Sequence, residues 1–206
     1  MSYTNVAGAT HNFHVWDDGS GNLTATADIA VAGTPVSATA PFPVMDVSPF
    51  ATVSVDITRP ANTTAYAAED ALSDSTTSPA SGGFTITGAA RVSGGSGVIR
   101  DAVFVMSTNA SASLSGEIWV FDSAVTNIND NAAFAISDAE AKTLVGIIPF
   151  STGKSGSNNA AVYVSGIDMH FTTIGSANLR FLVKVTNAYT PASAEVLTSR
   201  FKIQQF

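Results

Sequence analysis

Helical periodicity is nearly absent from this chain, and that limits its fold more than any other feature. Apolar residues come in short runs that alternate with polar ones, favour β-branched and aromatic side chains, and stop at Gly, Asn, Ser or Pro. A period of two places successive side chains on opposite faces of a pleated strand. The pattern therefore predicts an all-β chain. ATVSVDIT turns Val53, Val55 and Ile57 to one face, and GFTITGAARV does the same with Phe84 and Ile86. GVIRDAVFVMS reads as a longer strand with Ile99, Val103 and Val105 in the core. SLSGEIWVFDS offers Leu114, Ile118 and Val120, or Trp119 and Phe121, on alternate faces, and LVGIIPF is expected to stop at Pro149. AAVYVSG, MHFTTIG, NLRFLVKVTN and EVLTSRFKIQQF bring the total to about eight to ten strands, at the spacing of sandwiches and jelly rolls. One short helix is expected in ISDAEAKTL, about two turns long, where Ser137 and Glu140 have capping-box spacing and Asp138 suits a helix N-terminus.

Two segments are expected. Residues 1–51 read as an extended arm with a small hairpin, turned at Asp18, Gly19, Ser20 and Gly21. Pro35, Pro41, Pro43 and Pro49 then favour a polyproline-like path. Such an arm has too little apolar surface to repay its own ordering, and termini fray unless tied down. A neighbouring subunit is its natural partner. Residues 52–206 read as the body, a β-sandwich resembling a jelly roll.

The 206 residues suffice for one domain with an extension, and 45% of them are hydrophobic, enough for a packed core. Only 12% are charged, against a usual share of about 25%. The surface is therefore built from Ser, Thr, Asn, Gly and Ala, which suits a chain largely covered by partners. Few lysines are available to guard sheet edges. The formal net charge of −7 argues against binding nucleic acid, which needs cations to neutralise phosphates. It argues equally against an anionic membrane surface. There is no cysteine, which excludes disulfides, thiolate metal sites and cysteine nucleophiles. Residues 1–15 lack the basic and apolar regions of a signal peptide, and no apolar run reaches the ~20 residues of a spanning helix.

Candidate chemistry is sparse. His11 and His14, with Asp17 and Asp18 close by, have a metal-like spacing. Positions three apart on a strand face opposite ways, so a shared ion would require a turn, and an extended arm with incidental polar residues is the plainer reading. His170, between Met169 and Phe171, reads as a packing or interface residue. NINDNAAF (127–134) is oxygen-rich but lacks the glycine of a calcium loop, so an Asx-turn is expected. RVSGGSGVIRD has strands on both sides and no following Lys-Ser/Thr. It reads as a hairpin turn with positive φ rather than a phosphate cradle. The acid pairs Asp17/Asp18 and Glu69/Asp70 are surface acids as readily as glycosidase acids. No nucleophile elbow occurs. No catalytic, cofactor-binding or metal residues are assigned, and no cofactor is expected. The stretch VDITRPANTTAYAAEDALSDS (55–75) reads as a hinge between arm and body. In it Arg59-Pro60 ends a strand, and Tyr66 plugs the rim with its ring buried and its hydroxyl wet.

Four stretches in order carry a resemblance: TRPANTTAYAAEDALSDS, GGSGVIRDAVFVMS, WVFDSAVTNINDNAAFAISDAEAKTLVGIIPF and LRFLVKVTNAYTPASAEVLTSRFKI. Over about residues 52–206 the chain resembles a group of tailed-bacteriophage virion proteins associated with head decoration, or cement. The resemblance implies a structural protein of the virion, made in the host cytoplasm and seated on the capsid exterior. It implies no active site, the major capsid protein and further copies of this chain as partners, and a homotrimer. Two other readings stand beside it. One is a tail, baseplate or fibre component with a host- or carbohydrate-binding β domain, which exposed aromatics at one end of the sandwich would favour. The other is a jelly-roll carbohydrate enzyme.

Overall fold

The structure, a computed structural model, describes residues 50–109 and 114–206 in full save the Ser155 side chain, and within 1–49 only the backbone of strands. The chain divides into two compact units, Met1–Val47 and Ser48–Phe206. In the first, β1 (Ser2–Thr4), β2 (Thr10–Asp17) and β3 (Leu23–Ala27) form an antiparallel sheet in that order, while β4 (Ala30–Val31) pairs with β5 (Thr34–Pro35). β2 and β3 are the two arms of the expected hairpin. Its Asp-Gly-Ser-Gly turn, and the path through Pro41, Pro43 and Pro49, lie outside the described residues.

The second unit is a β-sandwich. Its strands are β6 (Phe50–Thr58), β7 (Ala71–Leu72), β8 (Phe84–Ile86), β9 (Ser96–Met106), β10 (Ser115–Phe121), β11 (Leu144–Ser151), β12 (Lys154–Ser155), β13 (Ala160–Val164), β14 (Met169–Thr172), β15 (Leu179–Val185) and β16 (Val196–Gln205). They pair as nested antiparallel hairpins. β6 pairs with β16, β7 and β8 with β15, β9 with β13 and β14, and β10 with β11. Successive pairs alternate between a six-stranded sheet ordered β12-β13-β9-β16-β6 with β14 also on β9, and a five-stranded sheet ordered β11-β10-β15-β7 with β8 also on β15. A long hairpin wound across two sheets in this manner is a jelly roll.

The inner faces meet over an aromatic chain. Phe84 packs on Phe181 at 5.6 Å, Phe181 on Phe201 at 5.5 Å, Phe201 on Phe104 at 6.2 Å, and Phe104 on Phe150 at 4.7 Å. The chain crosses from one sheet to the other twice, so each sheet supports its partner through rings in offset or edge contact.

Several expectations are corrected here. Val103 and Val105 are not core residues. Opposite β16 the register jumps from Lys202↔Asp101 to Ile203↔Ile99, leaving Arg100 as an extra residue in β9. A bulge of one residue inverts the side-chain phase. Beyond it Ala102, Phe104 and Met106 are buried instead, and Val103 and Val105 turn outward. β11 does not stop at Pro149 either. It runs on to Ser151, because it is a sheet edge and proline can face its missing donor to solvent. The glycines of SGGSG do not make a hairpin turn, since β8 and β9 lie in different sheets. Gly94 does take a positive φ of 74°. Gly97 is required for another reason: a Cβ there would lie 2.6 Å from the Phe171 ring and 2.7 Å from the Gln204 carbonyl.

The helix is one turn rather than two, α1 (Asp138–Ala141), with both arms of the capping box formed. Glu140 accepts from the amides of Thr126 and Ser137 at 2.5 and 2.9 Å and from the Ser137 hydroxyl at 2.7 Å. It thereby ties the 122–143 connection to itself. The Thr126 amide, followed by Ser137, holds the Glu140 carboxyl down to about 2.

Two predictions follow from this packing. Gly97→Ala should lower stability by about 1–3 kcal/mol, the usual penalty of overpacking, measured by urea unfolding; an unchanged midpoint would refute the close approach. Glu140→Ala should lose roughly 1 kcal/mol near neutral pH, as for other lost caps. The folded pKa lies below the unfolded one, so this stabilisation is complete above pH ~4.5 and fades as pH falls toward about 2. Unfolding curves of the two proteins should therefore converge in acid.

Candidate interaction surface

The 55–75 stretch is not a hinge. The boundary between the two units falls at 47/48, and this stretch is anchored deep in the body. Arg59, Tyr66 and Leu72 are at most 2% exposed. The Arg59 guanidinium donates to the Tyr66 hydroxyl and meets the Asp130 carboxylate at 3.0 Å, both charged side chains being fully buried. The Tyr66 hydroxyl donates in turn to Asp130, which also accepts from the Ser73 amide at 2.9 Å. Tyr189 stacks on Tyr66 at 5.0 Å and 6°, and Arg59 lies 4.7 Å from the Tyr66 ring centroid. The Tyr66 hydroxyl is thus dry rather than wet. Burial, with Tyr189 and Asp130 alongside, pushes its pKa up. Burial alone would lower the Arg59 pKa, but Tyr66 and Asp130 outweigh it and raise it.

Asp130 reaches the network from the NINDNAAF loop. The loop is turned by its own backbone, the Ala132 amide donating to the Asn129 carbonyl at 3.2 Å with Asn131 in the left-handed region at φ 61°; the expected Asx-turn is not formed, since the Asn127 side chain accepts at 3.0 Å from the next amide, Ile128, rather than from the one after it. The link between Asp130 and Arg59, distant in sequence, carried no local signal. The cluster has the residue types of an active site, but it is sealed from solvent, and Arg59, Tyr66 and Asp130 are bonded to one another. Its chemistry is to lock the crossing from β6 to β7 onto the turn before α1.

The other candidates disperse. His11 and His14 both lie in β2, which is continuous strand and supplies no turn between them; Asp17 ends that strand and Asp18 is outside the described residues. Among the described residues no group of three or more His, Asp or Glu is placed to hold a metal. Glu69 bonds to Lys184 at 2.9 Å while Asp70 accepts from the Ala67 amide at 2.7 Å, so the two do not act as an acid pair. A hollow of about 430 Å³ beside Ser78, Gly82, Asn127 and Glu140 holds a single acid, already committed to its cap.

What remains is a contrast between the outer faces of the two sheets. The outer face of the five-stranded sheet is covered by its own chain. The 122–143 connection lays Val125, Ile128, Phe134 and Ile136 over Trp119, Phe121 and Leu182, with the Phe134 and Trp119 rings 5.2 Å apart. Lys184 spans Glu69 and Glu117 at 2.9 and 3.1 Å above Trp119.

The outer face of the six-stranded sheet has no such cover among the described residues. Its register sets Thr198, Val105, Ala161 and Lys154 in one row, and Ser54, Arg200, Val103 and Tyr163 in the next. Val103, Ala161, Val162, Tyr163 and Lys154 line a shallow apolar hollow of about 460 Å³. Tyr163 is 55% exposed, with the Lys202 ammonium 5.4 Å from its ring centroid. Lys154, Arg200 and Lys202 are all exposed, against Asp56 and Asp101 in the same rows. His170 also lies exposed in β14, opposite Val98, rather than packed. An apolar centre with an aromatic and a charged rim is the composition of a protein-binding surface.

Loss of the buried network should be costly. Tyr66→Phe should lower stability by about 1–3 kcal/mol. Asp130→Ala should lower it by about 3–5 kcal/mol, because Arg59 is left buried without its counter-charge. Urea unfolding followed by tryptophan fluorescence measures both, and a loss below ~0.5 kcal/mol for Asp130→Ala would show the pair to be solvated. No family model matches this sequence, and no curated protein matches it.

Proposed function

We propose that this chain is a decoration, or cement, protein of a tailed-bacteriophage head. It binds the exterior of the shell formed by the major capsid protein through the uncovered face of the six-stranded sheet. The observation that carries the reading is that face: Val103, Val105, Ala161 and Tyr163 ringed by Lys154, Arg200 and Lys202, in a chain of formal net charge −7. The three cations outnumber Asp56 and Asp101 on this face, which on an acidic protein favours a partner patch of opposite, acidic bias. The sequence resemblance over residues 52–206 supports the same class. So does the rigid sandwich, whose candidate catalytic groups are committed to structure. The mechanism is linkage. Contacts made only by assembled shell subunits favour the assembled state by their binding free energy.

A second reading, a tail or fibre component binding a host or carbohydrate surface, is favoured by one observation. Phe50 and Phe206, 57% and 58% exposed, lie at the same end of the sandwich, where β6 begins and β16 ends.

The test is to strip particles of this chain, rebind it, and count copies against the major capsid protein. A fixed fraction of the shell copy number and a higher melting temperature for decorated particles are expected. Tyr163→Asp should weaken rebinding by roughly 30-fold, the effect of losing a central aromatic anchor, with the free protein's unfolding unchanged. A handful of copies per particle would favour the second reading. Rebinding that is indifferent to Tyr163→Asp would remove this face from the interface.

A further inference from the structure

A second, smaller hollow opens between the turn that follows β10 and the connection that leads from β14 into β15. Its volume is about 200 Å³, below the roughly 300–1,000 Å³ of a drug-sized site, so it suits a single small metabolite. Two opposite charges line it, Asp122 and Arg180. Neither takes part in an ion pair among the described residues.

The bonds these side chains do make leave specific atoms over. Arg180 donates from Nη1 to the Thr85 hydroxyl. Its Nε and Nη2, which form one edge of the guanidinium, have no partner among the described residues. Asp122 accepts from the Ser123 hydroxyl at 2.8 Å through Oδ1 alone. Asn178, also in the lining, accepts from the Gly88 amide at 2.8 Å. That bond engages the carboxamide oxygen and leaves its nitrogen as a donor. Ile174, 62% exposed, and Ala124 supply an aliphatic wall.

We propose that this hollow binds a free amino acid with an aliphatic side chain, as its zwitterion. The carboxylate meets the Nε and Nη2 edge of Arg180, whose parallel donors match two carboxylate oxygens, with Asn178 donating beside it. The ammonium meets Asp122, and the side chain lies on Ile174 and Ala124. Charge selects this class. A simple anion would face Asp122 and a simple cation would face Arg180, and juxtaposed like charges cost affinity. The end of a peptide brings one sign, whereas a free amino acid carries both on one small body. The hollow belongs to the five-stranded sheet, away from the face proposed to meet the shell, so the two readings stand or fall separately.

Titration of the full chain with L-leucine, followed by amide chemical shifts, should give a Kd of about 1 mM, reasonable for so small a ligand. N-acetyl-leucine lacks the ammonium and leucinamide lacks the carboxylate. Each should bind at least about tenfold more weakly, the usual loss for a charge-assisted bond. Arg180→Gln and Asp122→Asn should weaken leucine binding by a similar factor with an unchanged melting temperature, while Tyr163→Asp should leave it unaltered. No saturable shift at about 50 mM leucine, equal affinity for either blocked form, or a Kd that neither substitution moves would overturn the assignment.

Discussion

The extra residue at Arg100 is the constraint on which the sheet architecture turns. It inverts the phase of β9, sending Phe104 and Met106 into the core and Val103 and Val105 to the outside. It also explains why two short strands share one edge of β9. β13 pairs from Met106 to Ala102 and β14 from Ile99 to Ser96, so the ladder breaks where the bulge sits. The chain crosses that gap through residues 165–168 and is pinned there. The Ile167 amide donates to the Arg100 carbonyl at 3.0 Å, and the Arg100 guanidinium bonds Asp168 at 2.6 Å and the Gln204 side chain at 2.6 and 3.0 Å. Bulges bend and twist the strand that carries them. Here one bulge shapes the sheet and supplies the apolar centre of its outer face.

A second constraint works at the opposite end of β6 from the exposed Phe50. Buried ion pairs are weak sources of net stability, since desolvation offsets much of the attraction. Their value lies in what they forbid. With Arg59, Tyr66 and Asp130 mutually bonded and Tyr189 stacked on top, an arrangement that separates these segments leaves buried charges unpaired. Three connections that a jelly roll must bring together are thereby held in one register. Glu195 and Thr108, bonded to each other, extend the polar seam toward the start of β16.

These two devices leave the molecule asymmetric. One sheet is roofed by its own connection, with Trp119 and Lys184 beneath a small second core. The other, among the described residues, presents an apolar strip bordered by Lys154, Arg200 and Lys202 with Asp56 and Asp101 among them. Low overall charge suits such a body, because broad contact surfaces tolerate few desolvated ions.

The all-β class, the positions of most strands and the capping box at Ser137 were legible in the sequence, because each depends on local chemistry: a period of two, and a hydroxyl three residues before an acid. The bulge at Arg100 was not, because it is a relation between β9 and β16, and with it went the placement of Val103 and Val105. Nor was the passage of β11 through Pro149, which depends on that strand lying at an edge. Arg59 and Tyr66 stood in view as residues, but their partner Asp130 comes from a distant loop that only tertiary packing brings near. The sequence by itself determined that this chain forms short amphipathic strands and one capped turn of helix, since those are properties of neighbours along the chain. The tertiary structure alone decided which strands are edges, which face is covered and which is bare, because phase, edge and cover exist only between segments.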